Sequence, residues 1–190
     1  FSPQIWCSDD TDAIERLAIQ ESTALMYPLS VIGAHVSDCP NHTVGRVTPF
    51  KTRGIIAMAG TFGYELDVTK IPEEDRNMIA SQVETYKKYC PIIQSGDYYR
   101  IASYQSNHYF DCYEIVSKDK KEAILVFVQV IAQPNMHSIR VKLKGLDNEA
   151  KYKINGTVYD ADALMNGGFI IKRPWGDFQA ELFYIEKING

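Results

Sequence analysis

The chain has 190 residues, 45% of them hydrophobic and 23% charged, the proportions of a folded protein with room for one large domain or two small ones. A net charge of −4, with no Lys/Arg cluster beyond Lys118 to Lys121, excludes a phosphate-tracking face, so no nucleic-acid partner is expected. The longest apolar run, Ala123 to Ala132, is about half the roughly 20 residues that span a bilayer, and no membrane partner is expected.

Phe1 to Cys7 is predicted to be brief and extended. Asp12-Ala13-Ile14-Glu15 fits a capping box, with Asp12 accepting an amide and Glu15 reaching back, and Ile14, Leu17, Ala18 and Leu25 then recur at helical spacing to about Met26. Val31 to Pro49, which holds Gly33, Pro40, Asn41, Gly45 and Pro49, reads as a long loop, and loops of this length are often functional. A second helix is expected from Pro49 or Phe50. Met58 to Leu66 reads as a buried strand whose glycines allow close backbone approach. The third helix has Pro72 and Glu73-Glu74-Asp75 in its first turn and Ile79, Val83, Tyr86 and Cys90 on one face, with Pro91 after its end. From Gly96 the period changes to two. Tyr98 to Ser103, Phe110 to Val116, Ala123 to Ala132, Ile139 to Lys144, Lys151 to Ile154 and Glu181 to Lys187 are strand-like runs separated by turn residues. Residues 1–95 therefore read as βα alternation of a parallel α/β fold, and residues 96–190 as an antiparallel β-sandwich.

Ser8-Asp9-Asp10-Thr11-Asp12 is the densest carboxylate cluster, placed between a short strand and a helix. That is where (β/α)₈ enzymes keep catalytic groups, and also where a helix N-terminus favours acids without any function. Capping accounts for Asp12 and leaves Asp9 and Asp10 without an explanation. Trp6 beside them suits either a sugar platform or a core, and the twelve tyrosines allow the same two readings. His35, Cys39 and His42 have metal-like spacing but lack a fourth ligand, and Asp10-Thr11-Asp12 lacks the glycine and bidentate Glu of a calcium loop, so no metal is expected. His108 and His137 fall near loops with no evident partner. Cys7, Cys39, Cys90 and Cys112 are widely and irregularly spaced and read as free thiols. No secretory leader is visible, so a cytoplasmic location is expected and the sequons at Asn41 and Asn155 read as chance matches.

Several segments carry a resemblance: Pro3-Gln4-Ile5-Trp6-Cys7-Ser8-Asp9-Asp10-Thr11-Asp12-Ala13-Ile14-Glu15-Arg16-Leu17, Gly33-Ala34-His35-Val36-Ser37, Pro40-Asn41-His42, Arg53-Gly54 and Gly60-Thr61-Phe62-Gly63-Tyr64-Glu65-Leu66-Asp67. Lys87-Lys88-Tyr89, Gly96-Asp97-Tyr98-Tyr99-Arg100, Val128-Gln129-Val130 and Lys144-Gly145-Leu146-Asp147 continue it over nearly the whole chain. Together they resemble the C-terminal third of the microbial α-galactosidases of glycoside hydrolase family 36, the melibiases. The resemblance implies an α/β plus all-β chain: the last βα units of a (β/α)₈ TIM barrel over 1–95, then a C-terminal antiparallel β-sandwich over 96–190. It places the general acid/base on Asp9 and substrate contacts on Trp6 and Asp10, with the nucleophilic aspartate and most galactose-binding residues upstream of Phe1. Melibiose and raffinose-type galactosides are the implied substrates. No cofactor is implied, and the full-length enzyme is expected to be a homo-oligomer, often a tetramer. A retaining glycosidase needs two carboxyl groups about 5–5.5 Å apart, so the chain alone is expected to be inactive, and the open strand edges of an incomplete barrel are expected to make it prone to association. The alternatives are a non-catalytic carbohydrate-binding or structural module, and a related α-N-acetylgalactosaminidase or galactosyltransferase.

Overall fold

Asp12 starts the first helix as its side chain dictates: Oδ1 accepts from the amides of Ile14 and Glu15, both at 3.0 Å, and α1 runs Ala13–Ala24. A computed structural model of the chain describes residues 3–135 and 138–188, which leaves Phe1, Ser2, Met136, His137, Asn189 and Gly190 outside the described residues. The chain divides into two compact units, Phe1–Ser95 and Gly96–Gly190. The return arm of the capping box is not made. The Asp12 amide donates to Asp10 Oδ1 at 2.8 Å, and Glu15 lies 3.5 Å from Arg46 instead. The helix also ends at Ala24, before the expected Met26.

A 3₁₀ turn, Leu29–Val31, leads into the expected loop from Val31 to Pro49, which contains a strand, β1, Gly33–Ser37. This strand escapes pattern reading for a physical reason. Ile32, Ala34 and Val36 are all buried in a parallel arrangement, and its Gly and Ser ends imitate loop punctuation. On one side β1 pairs in parallel with β2, Thr61–Glu65, in the register Gly33↔Thr61 to Ser37↔Glu65. On the other, the predicted N-terminal strand contracts to a single parallel bridge, Ile5↔Ile32, held by Ile5 N to Val31 O at 2.7 Å and Gly33 N to Ile5 O at 2.8 Å.

Helix α2, Phe50–Ala57, begins at the expected place and buries Phe50, Ile55 and Ile56. β2 is shorter than the Met58–Leu66 expectation, because Met58 still accepts the role of helix cap, and it is only half-buried. The close approach at Gly60 is real: a Cβ there would sit 2.6 Å from the Ile32 carbonyl oxygen. α3, Glu73–Ser95, continues through Pro91 instead of ending before it. Proline costs that turn an amide and a clash, but Ile92 and Ile93 just beyond it are buried, and their apolar area outweighs the local penalty.

In the second unit β3 spans Asp97–Ala102, β4 Phe110–Val116, β5 Glu122–Gln129 and β6 Ser138–Val141. They are followed by β7 Lys151–Ile154, β8 Thr157–Asp160, β9 Phe169–Lys172 and β10 Gln179–Ile188. A six-stranded antiparallel sheet in the order β3-β4-β5-β10-β7-β8 and a two-stranded β6-β9 sheet fit a β-sandwich. The alternation over 139–144 holds, with Ile139, Val141 and Leu143 buried and Arg140, Lys142 and Lys144 exposed. Strands β8 and β9, the short helix α4 at Tyr104–Asn107 and a π-helical turn at Ala163–Gly167 were not anticipated. β7 and β8 are joined by Asn155 and Gly156, both at positive φ, the two-residue turn that matches strand twist. Leu125, Phe127, Tyr152, Ile154 and Ile185 anchor the core of this unit. No helix among the described residues is long and apolar enough to cross a membrane.

Candidate active site

Three chain segments in the first unit end side by side: the stretch after the Ile5 bridge, the end of β1 and the end of β2. They place Ser8, Asp9 and Asp10, then His35 and Ser37, then Glu65, around a cavity of about 100 Å³ that Trp6 and Arg16 also line. A second hollow of about 330 Å³ shares Trp6 and His35 and adds Gln4. A groove of about 490 Å³ in the β unit is larger but has Glu181 as its one acid, so chemistry rather than size selects the first.

The acidic knot is a ladder of turns. Ser8 Oγ accepts the Asp10 amide at 3.0 Å, Asp10 Oδ1 accepts the Asp12 amide at 2.8 Å, and Asp12 Oδ1 caps α1 and pairs with Arg46. Two of the three aspartates are thus engaged by backbone amides. Asp9 is exposed, lines the cavity, and has no hydrogen bond or ion pair among the described residues.

Trp6 is 60% exposed, and its Nε1 donates to His35 Nδ1 at 2.8 Å, with the rings edge-on at 5.1 Å. Gly33 makes room for it, since a Cβ at that position would lie 3.0 Å from the indole Cδ1. Accepting the indole N–H at Nδ1 puts the His35 proton on Nε2. Burial pushes the His35 pKa down, Glu65 partly opposes this and Arg16 reinforces it, so the imidazole is neutral at neutral pH. Among the described residues no group of three or more His, Cys, Asp or Glu is placed to hold a metal ion, and His35 is occupied by Trp6 rather than gathered with Cys39 and His42. All four cysteines are free.

The family model described as Melibiase matches residues 1–96, and the one described as Glycosyl hydrolase family 36 C-terminal domain matches residues 110–185. The chain belongs to glycoside hydrolase family 36. Within it, the chain is 43% identical to the α-galactosidase Mel36A of Lactobacillus acidophilus over 191 aligned residues, covering all of this chain and 26% of that one. It superposes at a TM-score of 0.93, with 41% identity, on a variant of the Geobacillus stearothermophilus α-galactosidase AgaA solved in complex with raffinose, covering 98% of this chain and 26% of that one. The galactosidase domain of the α-galactosidase–sucrose kinase AgaSK gives a TM-score of 0.94 at 41% identity, covering 99% and 26%. The chain therefore spans about a quarter of the length of the family 36 relatives it matches.

The residues singled out from the sequence, Trp6, Asp9 and Asp10, all lie on this cavity. His35 enters the sequence reading as a metal-spaced residue and as part of a family motif, and Arg16 and Glu65 only as parts of family motifs, none of the three with a role in the site. His35 and Glu65 share one signal, a place within or at the C-terminal end of a parallel strand, which could be read only once β1 was recognised, whereas Arg16 lies in α1 and carries no such signal.

Proposed function

We propose that the cavity is part of the active site of a retaining α-galactosidase that removes terminal α-galactosyl groups from raffinose-type oligosaccharides and melibiose. The residues up to Ser95 are then the last βα units of a (β/α)₈ barrel, and those from Gly96 its C-terminal β-sandwich. Asp9 protonates the departing glycosidic oxygen while a carboxylate outside this chain attacks the anomeric carbon. Asp9 then takes a proton from the water that releases galactose. Trp6 offers an exposed ring to a sugar face, and Asp10 keeps its second oxygen for a substrate hydroxyl. The observation that carries this reading is the singular state of Asp9, a cavity carboxylate left over when Asp10 and Asp12 have been engaged by amides.

The test uses the full-length enzyme. Asp9→Asn should lower turnover of raffinose by about 10²–10⁴-fold, the usual contribution of a positioned acid/base. An activated nitrophenyl α-galactoside, whose leaving group needs no proton, should still form the covalent intermediate in a burst and then stall, and azide should restart it. Asp10→Asn is the comparison, and if the burst and the azide rescue belong to that variant, the assignment moves to Asp10. Equal loss on both substrates in both variants, with no rescue, overturns the reading.

A further inference from the structure

Arg16 is buried in α1, yet it spends its guanidinium on carbonyls rather than on a carboxylate. Nη1 donates to Ser8 O at 3.1 Å and to Asp10 O at 3.4 Å, the carbonyls one residue before and one residue after Asp9. Nη2 donates to Gly33 O at 2.7 Å, at the start of β1. Nε donates to Gln20 Oε1 at 3.3 Å, and Gln20 Nε2 in turn donates to Ile56 O of α2 at 2.9 Å. A single planar fork therefore ties both flanks of Asp9 to the strand that carries His35 and Ser37, and a glutamine relays the attachment to a second helix.

We infer that Arg16 is the positioning residue for Asp9, setting the height and direction of its carboxylate in the cavity through the carbonyls of Ser8 and Asp10. The inference rests on the acid/base reading of Asp9. Among the described residues the Asp9 side chain makes no hydrogen bond or ion pair that could aim it, so its placement depends on the backbone on either side. Proton transfer needs a heavy-atom separation of roughly 2.6–3.2 Å, and a displacement of about 1 Å costs on the order of a hundredfold. Lysine keeps the charge but is a point donor that cannot span three carbonyls and an amide.

The test compares Arg16→Lys, Arg16→Gln and Asp9→Asn in the full-length enzyme, on raffinose and on an activated nitrophenyl α-galactoside. Loss of positioning should lower kcat on raffinose by about tenfold to a hundredfold with KM little changed, while the burst on the activated substrate keeps its rate. A purely structural role would instead lower both substrates by the same factor, in proportion to the active sites counted by the burst amplitude, and would overturn the inference. So would unchanged raffinose turnover in both Arg16 variants. If those variants do not fold, Gln20→Met decides, since it removes the relay to α2 and leaves the guanidinium in place. The same split between substrates, about threefold to tenfold on raffinose, is then expected, and no split overturns the inference. Asp9→Asn separates the two levels. If it shows the split and the others do not, only the positioning role falls; if it shows none, the acid/base reading falls and takes this inference with it.

Discussion

Glu114 provides a quantitative prediction, because an ionisable side chain stands where the sandwich core should be apolar. It lies in β4 opposite Leu125 with no exposed surface. Oε2 accepts the Lys144 amide at 2.7 Å, and Oε1 has no hydrogen-bond partner among the described residues. Burial pushes its pKa from 4.5 up to about 8, and the hydrogen bond from the Lys144 amide and the charge of Lys144 only partly offset this. The folded state thus holds a proton that the unfolded chain has released, so stability falls as pH rises from the unfolded value towards the folded one and is level above it. At about pH 7 the titration has progressed through some 2.5 pH units, equivalent to about 3 kcal/mol of stability lost relative to acid conditions. Glu114→Gln keeps an oxygen for the Lys144 amide and removes the titration. The variant should match the parent within ~1 kcal/mol near pH 5 and exceed it by about 3 kcal/mol near pH 7. Hydrogen exchange at the Leu125 and Phe127 amides, corrected for intrinsic rates at each pH, reads the opening free energy of this core directly. A constant offset between the two proteins across that range would refute the reasoning.

Two further substitutions test how the first unit is built. Asp12→Ala removes the cap of α1 and the partner of Arg46 and should cost about 1–2 kcal/mol, seen as faster exchange of the Ile14 and Glu15 amides; unchanged protection there would contradict the capping role. Gly60→Ala forces a Cβ against the Ile32 carbonyl oxygen, which also accepts the Thr61 amide, and should cost about 1–3 kcal/mol, read as a lower unfolding midpoint in urea; an unchanged midpoint would show that β1 and β2 can part there without penalty.

Local chemistry was enough to read several parts of this protein. Asp12 caps α1 because an N-terminal amide seeks the nearest oxygen, and the run Glu73-Glu74-Asp75 starts α3 because acids favour the positive helix end. Ile139 to Lys144 alternates because one face of that segment is wet, and the family motif around Trp6 and Asp9 is contiguous in the chain. Other features depend on partners that lie far away in sequence. β1 has no wet face and so no alternation, and α3 passes Pro91 only because Ile92 and Ile93 find burial. Glu114 sits in a run that reads as an ordinary strand, and only the segment carrying Lys144 makes it a buried acid. Capping already sets Asp12 apart in the sequence, but Asp9 and Asp10 are equivalent as residues there and differ in the fold by the turn that brings the Asp12 amide to Asp10. His35 and Glu65 line the same cavity as Asp9 through the parallel register of β1 with β2 and the bridge at Ile5, and Arg16 joins them from α1. The separation follows from range: capping, helix charge and alternation act within a few residues, whereas burial and convergence require strands to pair across tens of residues.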